Sequence, residues 1–229
     1  MPIDDQRQGL AEHPTSTFIQ ADAAAGRPDN GVGRRILPFS RLDRNELKAE
    51  LEIASRYGAV IERVAVRYGL LPSVIAGLGS RRSGWGRKLS PIGPGGTSDR
   101  IARRACDGGR ISPFPRDGLG FERGFMGLDY DWHEIARTPH WREPEANIDA
   151  AGEIIASHRT WFRRHTTLQG IGLLRASLSA FECGLDQVKC AIRLGQDVDI
   201  STLGRRRGGI GCGRDVLTRA EFFQTEGWD

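Results

Sequence analysis

A cluster of acidic, aromatic and imidazole side chains lies between Asp129 and Glu134, where the sequence reads DYDWHE. Carboxylate and imidazole groups can bind metal ions, but metal sites in sequences usually show a distinctive ligand spacing that this stretch lacks. The cluster therefore predicts a solvated polar loop, and we expect neither a metal nor another cofactor. His158 and His165, two turns apart on a predicted helix, are expected to be packing or surface residues.

Cysteines and a run of arginines are the other reactive or strongly charged features. The cysteines are Cys106, Cys183, Cys190 and Cys212, and no two of them have the C-x-x-C spacing of a zinc or redox site. Free thiols are the simplest interpretation, although a disulfide from Cys183 to Cys190 or Cys212 is compatible with the sequence. The arginines at 205–207 predict a solvated basic loop. Because no nucleic-acid-binding motif accompanies them, nucleic acid is not the expected partner.

The composition is that of a globular protein. Of 229 residues, 38% are hydrophobic and 27% are charged, and no apolar run approaches the length of a membrane helix. Residues 1–40 are rich in glycine, proline and charge, so we predict a flexible tail followed by one domain at 41–229. The first residues lack a basic segment and an apolar core, so no secretory signal is expected. We expect a monomer that stays in the cytosol or leaves the cell by a non-classical route.

Helices are predicted on both sides of a glycine-rich middle. Apolar residues from Leu42 onward recur at helical spacing, with a break near Gly58 and an end at Gly69. Pro72 suits the first turn of a third helix, because its missing N–H has no partner there. That helix is predicted to run to about Ser83.

The glycine-rich stretch at 84–124 predicts loops, a short helical turn at 101–106, and one hairpin at 121–129. Helices are then expected to resume with Asn147 as N-cap. Three more apolar stripes follow, at 171–181, 188–192 and 216–223. The predicted fold is therefore mainly α, with a small glycine-rich β-hairpin region that walls a cleft.

Three motifs in order carry a resemblance to a known family. Residues 72–83 read PSVIAGLGSRRS, residues 124–129 read GFMGLD with His133 four residues later, and residues 179–184 read SAFECG. They are similar to the Ser-Arg-Glu-Ser, Gly-Leu-Met-Gln-Val-Asp and Ser-Ala-Tyr-Asn-Ala-Gly motifs of goose-type lysozymes, which are related to the soluble lytic transglycosylases. A weaker match at 215–220, DVLTRA, lies in the last helix, and together the motifs span roughly residues 44–227.

The resemblance implies a lysozyme-like fold with a cleft for β-1,4-linked aminosugar chains. Members of the family cleave between N-acetylmuramic acid and N-acetylglucosamine. Their glutamate donates a proton to the leaving oxygen, and aspartates help to position water. Such an acid is needed because an alkoxide leaves poorly.

This chain departs from the family pattern at the proton donor. Arg82 occupies the position of the glutamate, and a guanidinium stays protonated under all ordinary conditions. Gly127 replaces glutamine, Cys212 falls where the family usually has tyrosine, and Phe181 with Glu182 replaces Tyr-Asn. Two residues, about 122–123, are inserted before the second motif.

The resemblance still implies candidate site residues. Asp129 matches the second family aspartate and Asp117 lies near the first, while Glu182 could pair with Arg82 or replace the missing acid. Asp129 could equally brace the hairpin. The candidate substrate-binding residues are Arg82, Met126, His133, Phe181 and Glu182. Trp85, Trp132 and Trp141 could stack on sugar rings or pack in the core.

Three functions follow as alternatives. The first is recognition of an aminosugar polymer, peptidoglycan or a chitin-type glycan, with hydrolysis weak or lost. The second is an active muramidase or lytic transglycosylase that uses Glu182, Asp129 or Asp117 as an unusual acid. The third is a protein-interaction or regulatory domain that reuses the scaffold.

Overall fold

The structure is a computed structural model that describes residues 42–98, 115, 117–202 and 211–229, and only the backbone of 105–106 and 110–111. The predicted tail and the arginine run at 205–207 lie outside the described residues. Within these ranges the architecture is mainly helical, as the sequence predicts. None of the described helices combines the length and the apolar character needed to cross a membrane.

The helices are α1 (Arg44–Ser55), α2 (Gly58–Tyr68), α3 (Pro72–Ser83), α4 (Pro144–His165), α5 (Gly170–Cys183), α6 (Leu185–Arg193) and α7 (Cys212–Thr225). Short 3-10 helices cover Glu134–Arg137, Pro139–Arg142 and Ile200–Thr202. The strands are β1 (Thr97–Ser98), β2 (Ala105–Cys106), β3 (Arg110–Ile111), β4 (Glu122–Arg123) and β5 (Leu128–Asp129). Strands β1, β4 and β5 form one antiparallel sheet in that order, and β2 pairs with β3.

Local residue chemistry sets the ends of the first helices. The Asp43 carboxylate caps α1 by accepting hydrogen bonds from two backbone N–H groups, at 2.9 and 3.2 Å. Pro72 lies in the first turn of α3, as predicted. Gly69 and Gly84 end α2 and α3 with φ angles of 60° and 57°, a left-handed conformation that favours glycine.

Two predicted elements are wrong. Helix α4 begins at Pro144, and Asn147 is not its N-cap, because its side chain bonds to other segments of the chain. The helical turn predicted near 101–106 is also wrong for residues 105–106, the part of it that the structure describes. Residues 105–106 form strand β2, which pairs with β3, and residues 101–104 lie outside the described residues.

The centre of the molecule is the contact between α3 and α7. Almost the whole of α3 is buried, and a side chain at Gly77 would lie 2.7 Å from the carbonyl oxygen of Val216. Glycine therefore lets the two backbones approach closely. Helix α5 packs against both α4 and α7. This arrangement places the last turn of α3, with Arg82, beside the three-stranded sheet and the end of α5.

Candidate functional site

Arg82 is the centre of the candidate site. Its side chain is only 5% exposed, and Nη1 forms an ion pair with Glu182 from the end of α5. Nη2 lies 3.0 Å from Glu122 Oε1 on β4 and donates a hydrogen bond of 2.9 Å to the carbonyl oxygen of Gly127. The pairing of Arg82 with Glu182, one of the two alternatives that the sequence left open for Glu182, is present, and Glu122 adds a second carboxylate.

Glu122 is a site residue that the sequence analysis missed. The motif comparison placed it only in a two-residue insertion before Gly124, which was the available signal. The antiparallel register of β4 on β5, with Glu122 opposite Asp129, fixes its backbone beside the site. Glu122 thus supplies one of the two carboxylates that contact Arg82.

Gly127 provides the space that the guanidinium occupies. Its φ is +58°, and a side chain there would place Cβ 2.8 Å from Nε and 3.0 Å from Nη2 of Arg82. Any larger residue would displace the guanidinium or strain the backbone. Gly127 and the guanidinium of Arg82 are therefore spatially complementary.

Ser83 joins the end of α3 to the hairpin. Its buried hydroxyl donates a hydrogen bond of 2.7 Å to the carbonyl oxygen of Phe125 and accepts one of 2.9 Å from the N–H of Gly86. The hairpin is attached to α4 as well, because the Asn147 amide accepts from the N–H of Met126 at 2.9 Å. These bonds hold the Gly127 carbonyl in place relative to Arg82.

Asp117 is held by Arg123. Arg123 donates hydrogen bonds of 2.6 and 2.8 Å to the two carboxylate oxygens, and this pairing lowers the pKa of Asp117 against the opposing effect of burial. The guanidinium carbon of Arg123 lies 4.4 Å from the ring centroid of Tyr130 and 5.4 Å from that of Trp141. Asp117 is therefore ionised at neutral pH and poorly suited to donate a proton.

Asp129 braces the loop that follows β5. Its carboxylate accepts a hydrogen bond of 2.9 Å from the N–H of Asp131, and its own N–H donates one of 2.9 Å to Nδ1 of His133. This contact of the carboxylate is thus with the loop after β5, whereas the sequence allowed it to brace the hairpin itself.

Phe181 links the loop to Arg82. Its ring stacks on His133 with centroids 5.7 Å apart, and the guanidinium carbon of Arg82 lies 5.8 Å from its centroid. Of the predicted site residues, the structure therefore brings together Arg82, Glu182, Phe181 and His133. Met126 is fully buried in the hydrophobic core.

Cys212 provides a neutral hydrogen-bond donor behind the ion pair. It is fully buried at the start of α7, and its Sγ lies 3.7 Å from Oε2 of Glu182. Burial raises the pKa of the Cys212 thiol to about 11, so the thiol stays protonated. Cys183, Cys190 and Cys212 form no disulfide with one another.

The side chains at this site are better suited to binding a ligand than to transferring a proton. Guanidinium cannot act as an acid, whereas the carboxylates of Glu122 and Glu182, 16% and 25% exposed, can accept hydrogen bonds from a ligand. No group of three or more metal-ligating side chains occurs in the part of the chain that the structure describes. Comparison of the chain with protein-family models and with curated protein sequences found no match.

Proposed function

We propose that this chain is a lysozyme-like protein that binds a β-1,4-linked aminosugar polymer, such as peptidoglycan, with hydrolysis weak or lost. The observation that carries the proposal is the ion cluster in which the buried Arg82 contacts the partly exposed Glu122 and Glu182. It occupies the position where the motif resemblance implies the catalytic glutamate. The mainly helical architecture and the hairpin beside the cluster support the same assignment.

Proton supply argues against efficient cleavage. A general acid must carry a proton near neutral pH, and an adjacent guanidinium stabilises the ionised form of a carboxylate instead. Glu182 pairs with Arg82, and Asp117 pairs with Arg123. Two of the three candidate acids therefore have an arginine in direct contact.

Binding of a glycan does not require a proton donor, and the carboxylates of the ion cluster can accept hydrogen bonds from a ligand. Two carboxylates contact one guanidinium, and carboxylate oxygens can accept more than one hydrogen bond each. Hydroxyl and N-acetyl N–H groups of neutral sugar units would donate to these oxygens in charge-assisted hydrogen bonds. The proposed ligand contact is therefore with neutral sugar groups rather than with a sugar carboxylate.

The test is co-sedimentation with insoluble peptidoglycan at physiological ionic strength, with soluble sugar release measured in the same sample. We expect the wild-type chain to be retained on the polymer without release of fragments. Glu182→Gln should weaken retention about tenfold, because a charge-assisted acceptor is replaced by a neutral one. The matched control is Glu52→Gln, which alters an exposed carboxylate on α1 and should bind like the wild type.

The other possible results of this assay distinguish between the alternative functions. No retention of the folded wild-type chain would refute glycan binding and favour an interaction domain. Efficient sugar release that Glu182→Gln abolishes would refute loss of catalysis and make Glu182 the acid. Equal weakening by Glu52→Gln would mean that retention does not depend specifically on the carboxylate of Glu182, and would refute the proposed contact.

A further inference from the structure

Trp132 is an exposed tryptophan, whereas other tryptophans of the chain are buried. Its exposed fraction is 67%, whereas Trp85 and Trp141 are each 1% exposed. Single exposed apolar residues are common on protein surfaces, so the exposed indole gains its meaning from its place on a loop beside the ion cluster. The two buried rings are core residues, which leaves Trp132 as the member of the sequence-predicted trio able to contact a ligand.

The backbone around Trp132 is held in place although its side chain is not covered. Arg137 donates hydrogen bonds of 3.1 Å to the carbonyl oxygens of both Tyr130 and Asp131. On the other side, the N–H of His133 donates a bond of 2.9 Å to the carbonyl oxygen of Asp129. A ring presented from an ordered backbone loses little conformational entropy when a ligand binds.

The loop lies next to the ion cluster. His133, the residue after Trp132, stacks on Phe181, whose ring in turn neighbours the Arg82 guanidinium. An oligosaccharide that reaches Glu182 would extend over several sugar units. A neighbouring unit could therefore reach the indole while another contacts the carboxylates.

Building on the proposed function, we propose that Trp132 is a stacking platform for one pyranose ring of the bound glycan. A β-1,4-linked sugar presents faces of C–H groups that are apolar, while its hydroxyls point outward around the ring. Indole offers a flat apolar surface and a polar N–H at its edge, which suits such a ligand. Trp132 would thus determine affinity, and the carboxylates of the cluster would orient the polymer.

The test compares wild type, Trp132→Ala and Trp132→Phe in the peptidoglycan co-sedimentation assay. Loss of the ring should raise Kd about 5- to 10-fold, and phenylalanine should restore most of the affinity. Leu194→Ala is the matched control, because Leu194 is a 60% exposed apolar residue beyond the end of α6 and should leave Kd unchanged.

Fluorescence adds a readout that a structural role would not move. Soluble peptidoglycan fragments should change the tryptophan emission of the wild type, and Trp132→Phe should lose that change while still binding. If the wild type binds and Trp132→Ala binds equally well, the stacking role is refuted and the proposed function stands. Equal weakening by Leu194→Ala would also refute it. Absence of wild-type binding would overturn both proposals.

Discussion

Replacing Gly127 by alanine tests whether the buried guanidinium of Arg82 requires a residue without a side chain beside it. We expect two contributions to the loss of folding stability. The backbone is in the left-handed region, with φ at +58°, where an L-residue costs roughly 1–2 kcal/mol. In addition, Cβ would lie 2.8 Å from Nε of Arg82, and such overpacking costs about 1–3 kcal/mol. The free energy of unfolding should therefore fall by about 2–5 kcal/mol.

Gly195→Ala separates the two costs. Gly195 also has a left-handed φ, +65°, but no atom lies within 4 Å of the position of its Cβ. Its substitution should therefore cost only the backbone contribution of roughly 1–2 kcal/mol. The difference between the two variants measures the contact with Arg82.

Urea unfolding followed by circular dichroism gives both free energies, and a double-mutant cycle assigns the difference. In an Arg82→Ala background the obstructing guanidinium is gone, so Gly127→Ala should then cost no more than Gly195→Ala. Equal losses for the two glycine variants in the wild-type background would refute the packing argument. So would an unchanged cost of Gly127→Ala after removal of Arg82.

Three further predictions concern titratable groups. The pairing with Arg123 lowers the pKa of Asp117 from its ordinary value of 3.8, so the ionised carboxylate stabilises the fold above that pH. Asp117→Asn should therefore be less stable than the wild type at pH 7, and urea unfolding should show the difference shrinking as the pH falls below 3.8. Burial raises the pKa of Glu50 from its ordinary value of 4.5, so its contribution to stability is present below that value and is lost as the pH rises through the raised one. Relative to Glu50→Gln, the wild type should lose stability as the pH increases above 4.5, and an unchanged difference would contradict this. Because burial raises the pKa of Cys212 to about 11, mass spectrometry should find this thiol unmodified by iodoacetamide at pH 8 in the native chain and alkylated after denaturation.

Helix ends were predictable where the signal is local. Pro72 at the start of α3 and Gly69 at the end of α2 act through their own backbone preferences, which do not depend on the rest of the fold. The prediction of Asn147 as an N-cap was wrong because its side-chain amide can either cap a helix or bond to other segments, and the sequence does not distinguish the two. In the structure the Asn147 amide forms tertiary hydrogen bonds, and helix α4 begins at Pro144.

The site was predictable in part for a similar reason. The motif resemblance implied that Arg82 and Glu182 face one cleft, so their pairing could be anticipated as one alternative. Glu122 could not be found in that way, since its place depends on the pairing register of two strands only two residues long. The thiol of Cys212 was noticed as a departure, but its approach to Glu182 requires the three-dimensional packing of α7 on α5.

The hydrogen bonds of Asn147 affect how the β4–β5 hairpin can move. One side-chain amide holds the N–H of Met126 and the carbonyl oxygens of Arg123 and Trp141, at 2.9, 3.1 and 3.0 Å. The hairpin cannot swing outward while α4 stays in place, so breathing of the two segments is coupled. Deuterium should therefore enter the Met126 amide at the pace of opening in the first turns of α4, which makes that single proton a reporter of whether the wall beside Arg82 is rigid.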